Sequence, residues 1–138
     1  MESVTHILAG LGNFALYFFI SLVMLVVFKW IYAFVTPHDE WQLVKEQQNT
    51  AAAIGLMGAV VGFAIALAGA ISNSIALLDF VVWGIVALFA QILAFVIVRV
   101  VFMPKIVERI INNEVTAGIV LAGMSVAVGL LNAACMTY

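Results

Sequence analysis

Three polar side chains stand inside otherwise apolar stretches of this chain and could do chemistry there: Lys29, Gln91 and Arg99. An ionisable group in hydrocarbon is costly and often functional, so Lys29 and Arg99 could line a pathway or meet a partner inside a bundle. Their long stems also allow a plainer outcome, in which the charged head snorkels to the headgroup layer. Lys29 lies seven residues before Thr36, which is about 10 Å inside its helix end at roughly 1.5 Å per residue. Arg99 lies nearer its own end. Gln91 stands near the middle of its stretch, where it could hydrogen-bond across helices or contact a substrate.

A second constellation is His38-Asp39-Glu40-Trp41, inside the longest polar interruption of the chain, from Thr36 to Thr50. His, Asp and Glu together suggest a metal or an acid–base site, but three adjacent residues on an exposed segment have diverging side chains and chelate poorly. Asp39 and Glu40 also suit a helix N-terminus, where the dipole favours negative charge. Trp41, Leu43 and Val44 would then form the buried face of a short interfacial helix. Alternatively, Asp39, Glu40 and Trp41 form a docking surface for a cytoplasmic partner. Asn132 reads as a packing or capping residue, and Cys135 as a small buried apolar one. No nucleophile–base pair, glycine-rich phosphate loop or zinc-ligand spacing is present. The expectation is therefore no enzyme, with no catalytic residue, no metal and no cofactor.

The elements that must position these residues follow from composition. Charged residues make up only 9% of the 138 and hydrophobic ones 67%, against about 25% charged in a soluble domain. Mean hydropathy is +1.26. Lipid must solvate most of such a surface. The net charge of −2 and the lack of a basic cluster argue against nucleic acid as a partner. The single cysteine cannot form an internal disulfide. Glu2 precedes the first apolar run with no Lys or Arg, unlike a cleavable signal peptide.

Four runs reach the roughly 20 residues that a spanning helix needs, at about 12–36, 50–72, 79–102 and 115–136, with Asp79 as an N-cap and residues 1–11 as a short leader. In lipid the backbone must satisfy its own hydrogen bonds, so these runs are expected to be helices. The fold expected is an all-α membrane protein, a single domain over 1–138. All five Lys and Arg lie in or near the two polar connections, 37–49 and 103–114. The positive-inside rule puts those elbows in the cytoplasm and both termini outside.

The halves resemble each other. Phe14 and Phe80 open the first and third spans at a shift of 66, and Thr50-Ala51-Ala52 and Thr116-Ala117-Gly118 open the second and fourth at the same shift. Thr36-Pro37 and Met103-Pro104 match with a one-residue slip. A repeated hairpin keeps its orientation, so the expectation is two parallel-repeat helical hairpins related about the membrane normal. Of the 16 aromatic residues, 13 fall in spans one and three. Spans two and four are rich in small residues, with Gly58 and Gly62 spaced by four, and Ser125 and Gly129 likewise. Small residues let helices approach closely, which places spans two and four at the centre and the other two outside.

The run Thr36-Pro37-His38-Asp39-Glu40-Trp41-Gln42-Leu43, followed by Asn49-Thr50-Ala51-Ala52, resembles the YjfL-like bacterial inner-membrane family, also called domain of unknown function 350. The tail Asn132-Ala133-Ala134-Cys135-Met136-Thr137 is similar to it too. The resemblance implies a small four-helix protein of the bacterial inner membrane, associated in gene organisation with phage-shock-protein-A-like envelope proteins; in that membrane the charge placement makes both termini periplasmic. It assigns no catalytic or binding residue. Two functions stay open. One is a non-enzymatic membrane anchor or sensor for a cytoplasmic or envelope-stress partner. The other is a subunit of a small homo-oligomeric channel or transporter.

Overall fold

The computed structural model describes residues 2–36 and 40–136, with Glu40 described by its backbone alone. Helix α1 runs Glu2–Val35, α2 Glu40–Lys45, α3 Thr50–Asn73, α4 Leu77–Ile97, α5 Ile106–Ile111 and α6 Val115–Cys135. A π-helical turn, Val98–Phe102, extends α4 to the second elbow. Among the described residues, four helices are long and apolar enough to cross a membrane: α1, α3, α4 with its π turn, and α6. Pro37, His38, Asp39, Thr137 and the Glu40 side chain lie outside the described residues.

Two helix starts differ from expectation. Residues 2–11 are not a separate leader but the first turns of α1, which at 34 residues is about 51 Å long. Val4, Ile7, Leu8 and Leu11 line one side of this extension, and Glu2, Thr5, His6 and Ala9 another. That spacing is helical, and Glu2 in the first turn suits the dipole. Asp79 is not an N-cap: α4 begins two residues earlier, with Ala76 at the cap position. The Asp79 carboxylate instead accepts the Ile75 N–H at 3.1 Å, closing the turn before the helix. The end of α4 follows from Pro104. The residue before a proline is driven out of helical geometry, and Met103 sits at φ −140°, ψ 89°. Its N–H still donates to the Val98 carbonyl at 2.7 Å, five residues back, which widens the last turn.

Helix α3 is the centre of the bundle. Half of its span is buried, against 11% for α1, and it touches every other helix. Its largest contact is with α6. The two backbones meet at glycines: a Cβ at Gly62 would strike the Ser125 carbonyl, and one at Gly129 would strike that of Gly62. Gly58 faces Ala122, and Gly118 faces Ala51. Without water there is no hydrophobic force between lipid-exposed helices, so this close packing holds the pair together.

The expected division of inner and outer helices is modified. Helix α6 is less enclosed than α4, so α3 alone is central and α6 lies at the edge. Nor are all the aromatics outside. Phe28, Tyr32, Phe80 and Phe95 are buried. Phe28 stacks on Phe63 of α3 at 4.4 Å between centroids, and Tyr32 meets Phe95 edge-on at 6.0 Å. Helices α1 and α3 carry no facing glycines here, so their axes stand further apart and rings fill the gap.

Gly62→Leu or Gly129→Leu should destabilise the protein by about 1–3 kcal/mol through overpacking against backbone. Gly123, with nothing within 4 Å of an added Cβ, should accept Leu within about 0.5 kcal/mol. Unfolding titrations in mixed detergent micelles check this; equal losses at Gly62 and Gly123 would contradict the packing.

Candidate functional site: the elbow layer and a buried amide

The two elbows come together at one end of the bundle. Asn49 caps α3, its Oδ1 accepting the Ala52 N–H at 2.9 Å. The same side chain crosses to the other elbow: Nδ2 donates to the Ile110 carbonyl at 2.8 Å and to that of Ile111 at 3.3 Å. These are among the last carbonyls of α5, which have no partner within the helix. Asn113 returns the contact, its Oδ1 accepting the Ala51 N–H at 3.0 Å. Its φ of 59° lies in the left-handed region, where asparagine is among the more tolerated residues. Asn49 is 4% exposed, so these bonds are shielded from water. The Arg109–Glu114 ion pair beside them, at 2.8 Å, has both side chains more than a third exposed and adds little.

Trp41 of α2 is 39% exposed. The Lys29 ammonium lies over its ring, 4.3 Å from the centroid, and the Lys45 ammonium is 5.9 Å away. Lys29 thus neither reaches water unaccompanied nor turns into the bundle; it crosses from α1 to α2. Leu43, Ile106 and Ile110 are buried under the elbow helices, whereas Trp41, expected on the buried face with Leu43 and Val44, is exposed.

Gln91 is fully buried between α4 and α6. Its Nε2 donates to the Ser125 carbonyl at 3.1 Å, while Gln91 Oε1 and Ser125 Oγ are buried without a partner among the described residues. Arg99 is exposed, in the π turn. Eight residues separate it from Gln91, about 12 Å along the helix. The three polar residues singled out within the spans therefore have separate surroundings. Gly58, Gly62, Ser125 and Gly129 all lie at the α3–α6 crossing. Cys135 is exposed on α6 rather than buried. Asn132 is half-buried, with its Nδ2 unbonded among the described residues. Sequence reasoning did not single out Asn49 and Asn113. Asn49 immediately before Thr50 was a legible N-cap; its reach to α5 needed the fold.

Four apolar helices closed at one end by two short elbow helices define a multi-pass α-helical membrane protein. The chain belongs to the Domain of Unknown Function family DUF350, whose model matches residues 6–136. It is 43% identical over 133 residues to the UPF0719 inner membrane protein YjfL of Escherichia coli K12, covering 96% of this chain and 99% of the relative. The same protein of Escherichia coli O157:H7 matches equally. No solved structure matches.

Asn49→Ala removes a cap and the two bonds that cross to α5, leaving the Ile110 carbonyl with the Asn113 N–H alone, so it should cost about 1–3 kcal/mol. Gln91→Leu loses one interhelical hydrogen bond, worth about 0.6 kcal/mol on average in membranes. Chemical unfolding of both variants in detergent should rank Asn49 as the costlier; the reverse order would contradict the elbow geometry.

Proposed function

We propose that this protein is a non-enzymatic component of the bacterial inner membrane, with both termini periplasmic and the elbow layer facing the cytoplasm. There it anchors a cytoplasmic or envelope-stress protein. The observation that carries the reading is where the polar groups lie. All five cationic residues stand at or near the elbow end, which also supports the orientation. Between the spans, one crevice of about 320 Å³ beside Met24, Val27, Gly84 and Phe89 is lined by apolar residues alone. Gln91 is packed against Ser125 and does not line that crevice. Such an interior suits a scaffold better than a conduit.

We also propose that the two hairpins arose by duplication, which the elbow backbones support. Both elbows pass through a left-handed residue, Gln48 at φ 51° and Asn113 at φ 59°. Each is followed by an extended cap residue, Asn49 at ψ 108° and Glu114 at ψ 102°.

A second reading, a subunit of an oligomeric channel or transporter, is favoured by one observation. Gln91 Oε1 and Ser125 Oγ are buried polar atoms without partners among the described residues, and a passing ion or water would satisfy them.

Proteoliposomes separate the two. The anchor reading expects no flux of protons, sodium, potassium or chloride above empty vesicles. It also expects a defined partner to co-purify in mild detergent and to be lost in Asp39→Lys and Glu40→Lys. Flux that Gln91→Leu abolishes would replace the first reading with the second.

A further inference from the structure

We propose that the groove at Lys29, Trp41 and Lys45 binds one anionic phospholipid, its phosphate held between the two ammoniums and an acyl chain lying on Leu25, Val26 and Val60. The first observation is a charge imbalance. Two cations from different helices lie within 6 Å of one indole ring. An indole face attracts a cation but carries no net charge, so the mutual repulsion of the ammoniums meets no counter-charge among the described residues. Neither lysine has a carboxylate partner among the described residues. Glu46, the acidic side chain described in the same elbow, accepts a hydrogen bond from Gln42 at 3.2 Å. An anion between the lysines would relieve the repulsion.

The second observation is the shape beside them. A depression of about 340 Å³ is lined by Leu25, Val26, Lys29, Trp30, Trp41 and Val60. Apart from the Lys29 ammonium and the edges of the two indoles, its walls are hydrocarbon. Lys29 enters it from about 10 Å inside the end of α1 by helix rise, a depth suited to a headgroup–acyl boundary. Tryptophan favours that same layer. A soluble anion would meet the lysines but leave the apolar walls uncovered. A phospholipid covers both, and basic pockets beside membrane helices commonly take anionic headgroups. The site shares Trp41 with the docking surface expected at Asp39, Glu40 and Trp41, but its test reads lipid and not protein capture, so the two readings fail separately.

The test uses the intact protein carrying Trp30→Phe and Trp83→Phe, so that Trp41 alone fluoresces. It is reconstituted in phosphatidylcholine vesicles with brominated-chain phosphatidylglycerol or brominated-chain phosphatidylcholine as quencher. Phosphatidylglycerol should bind at least about 5-fold more tightly, the effect of one lysine near a membrane surface. The preference should vanish in Lys29→Gln/Lys45→Gln and persist in Lys29→Arg/Lys45→Arg. Equal quenching by both lipids, or a preference surviving in the glutamine pair, would overturn the proposal. Loss of the preference on adding inorganic phosphate at matched ionic strength would also overturn it, showing a small-anion site. A second measurement needs no variant. The unaltered protein, released from mild detergent in a mass spectrometer, should retain one anionic phospholipid per chain, and retention of zwitterionic lipid alone would count against the site.

Discussion

The structure depends on the closeness of α3 and α6. In lipid, apolar side chains gain nothing by leaving their surroundings, so two helices associate only if their surfaces fit better than either fits lipid. Glycines facing backbone at Gly62, Gly118 and Gly129 provide that fit. Once the pair is set, the remaining helices have defined places. Helix α4 packs on both members, whereas α1 lies along α3 and α4. The larger α1–α3 separation is filled by Phe28 and Phe63 in parallel stacking. Small residues bring one pair of backbones together, and rings span the wider gap.

The same pair fixes the elbows. Helices α3 and α6 begin at Thr50 and Val115, so bringing them together brings both elbows to one end of the bundle. Asn49 and Asn113 exploit that proximity. Each supplies a hydrogen bond that the other elbow's backbone needs, one to the end of α5 and one to the start of α3. Neither bond could form within a single hairpin. The elbow layer therefore reports that the two halves are correctly packed, and its buried hydrogen bonds hold them in register.

Much of the fold was legible because lipid restricts the choices. Apolar run length and the need to satisfy the backbone lead directly to four spanning helices. The glycine spacing in α3 and α6 marked their contact. The extension of α1 was written in the spacing of Val4, Ile7, Leu8 and Leu11, but it lies beyond the length a bilayer requires, so length alone passed over it. Aromatic burial was not legible, since a ring on a membrane helix can face lipid or fill a gap with the same sequence. The partner of Lys29 was hidden for another reason. Trp41 is twelve residues away in sequence and on a different helix, and only the fold of the first elbow brings the two together.

The contrast between Lys29 and Gln91 indicates where function resides. Both are polar groups in apolar spans, and either could have marked a pathway. Gln91 is held by a backbone carbonyl of a neighbouring helix, in a contact so tight that a Cβ on Gly62 would lie 3.0 Å from its Nε2. Moving it would disturb the crossing of α3 and α6 and hence the whole bundle. Lys29 is held by the face of an indole on a short helix at the edge, a contact that leaves it without a carboxylate partner among the described residues and beside a groove open to the surroundings. A group that carries stability must keep its partner, whereas a group that meets ligands must be able to take a new one. By that criterion the adaptable chemistry of this protein lies at the elbow end, where the bilayer meets water, and the polar contact within the bundle serves architecture.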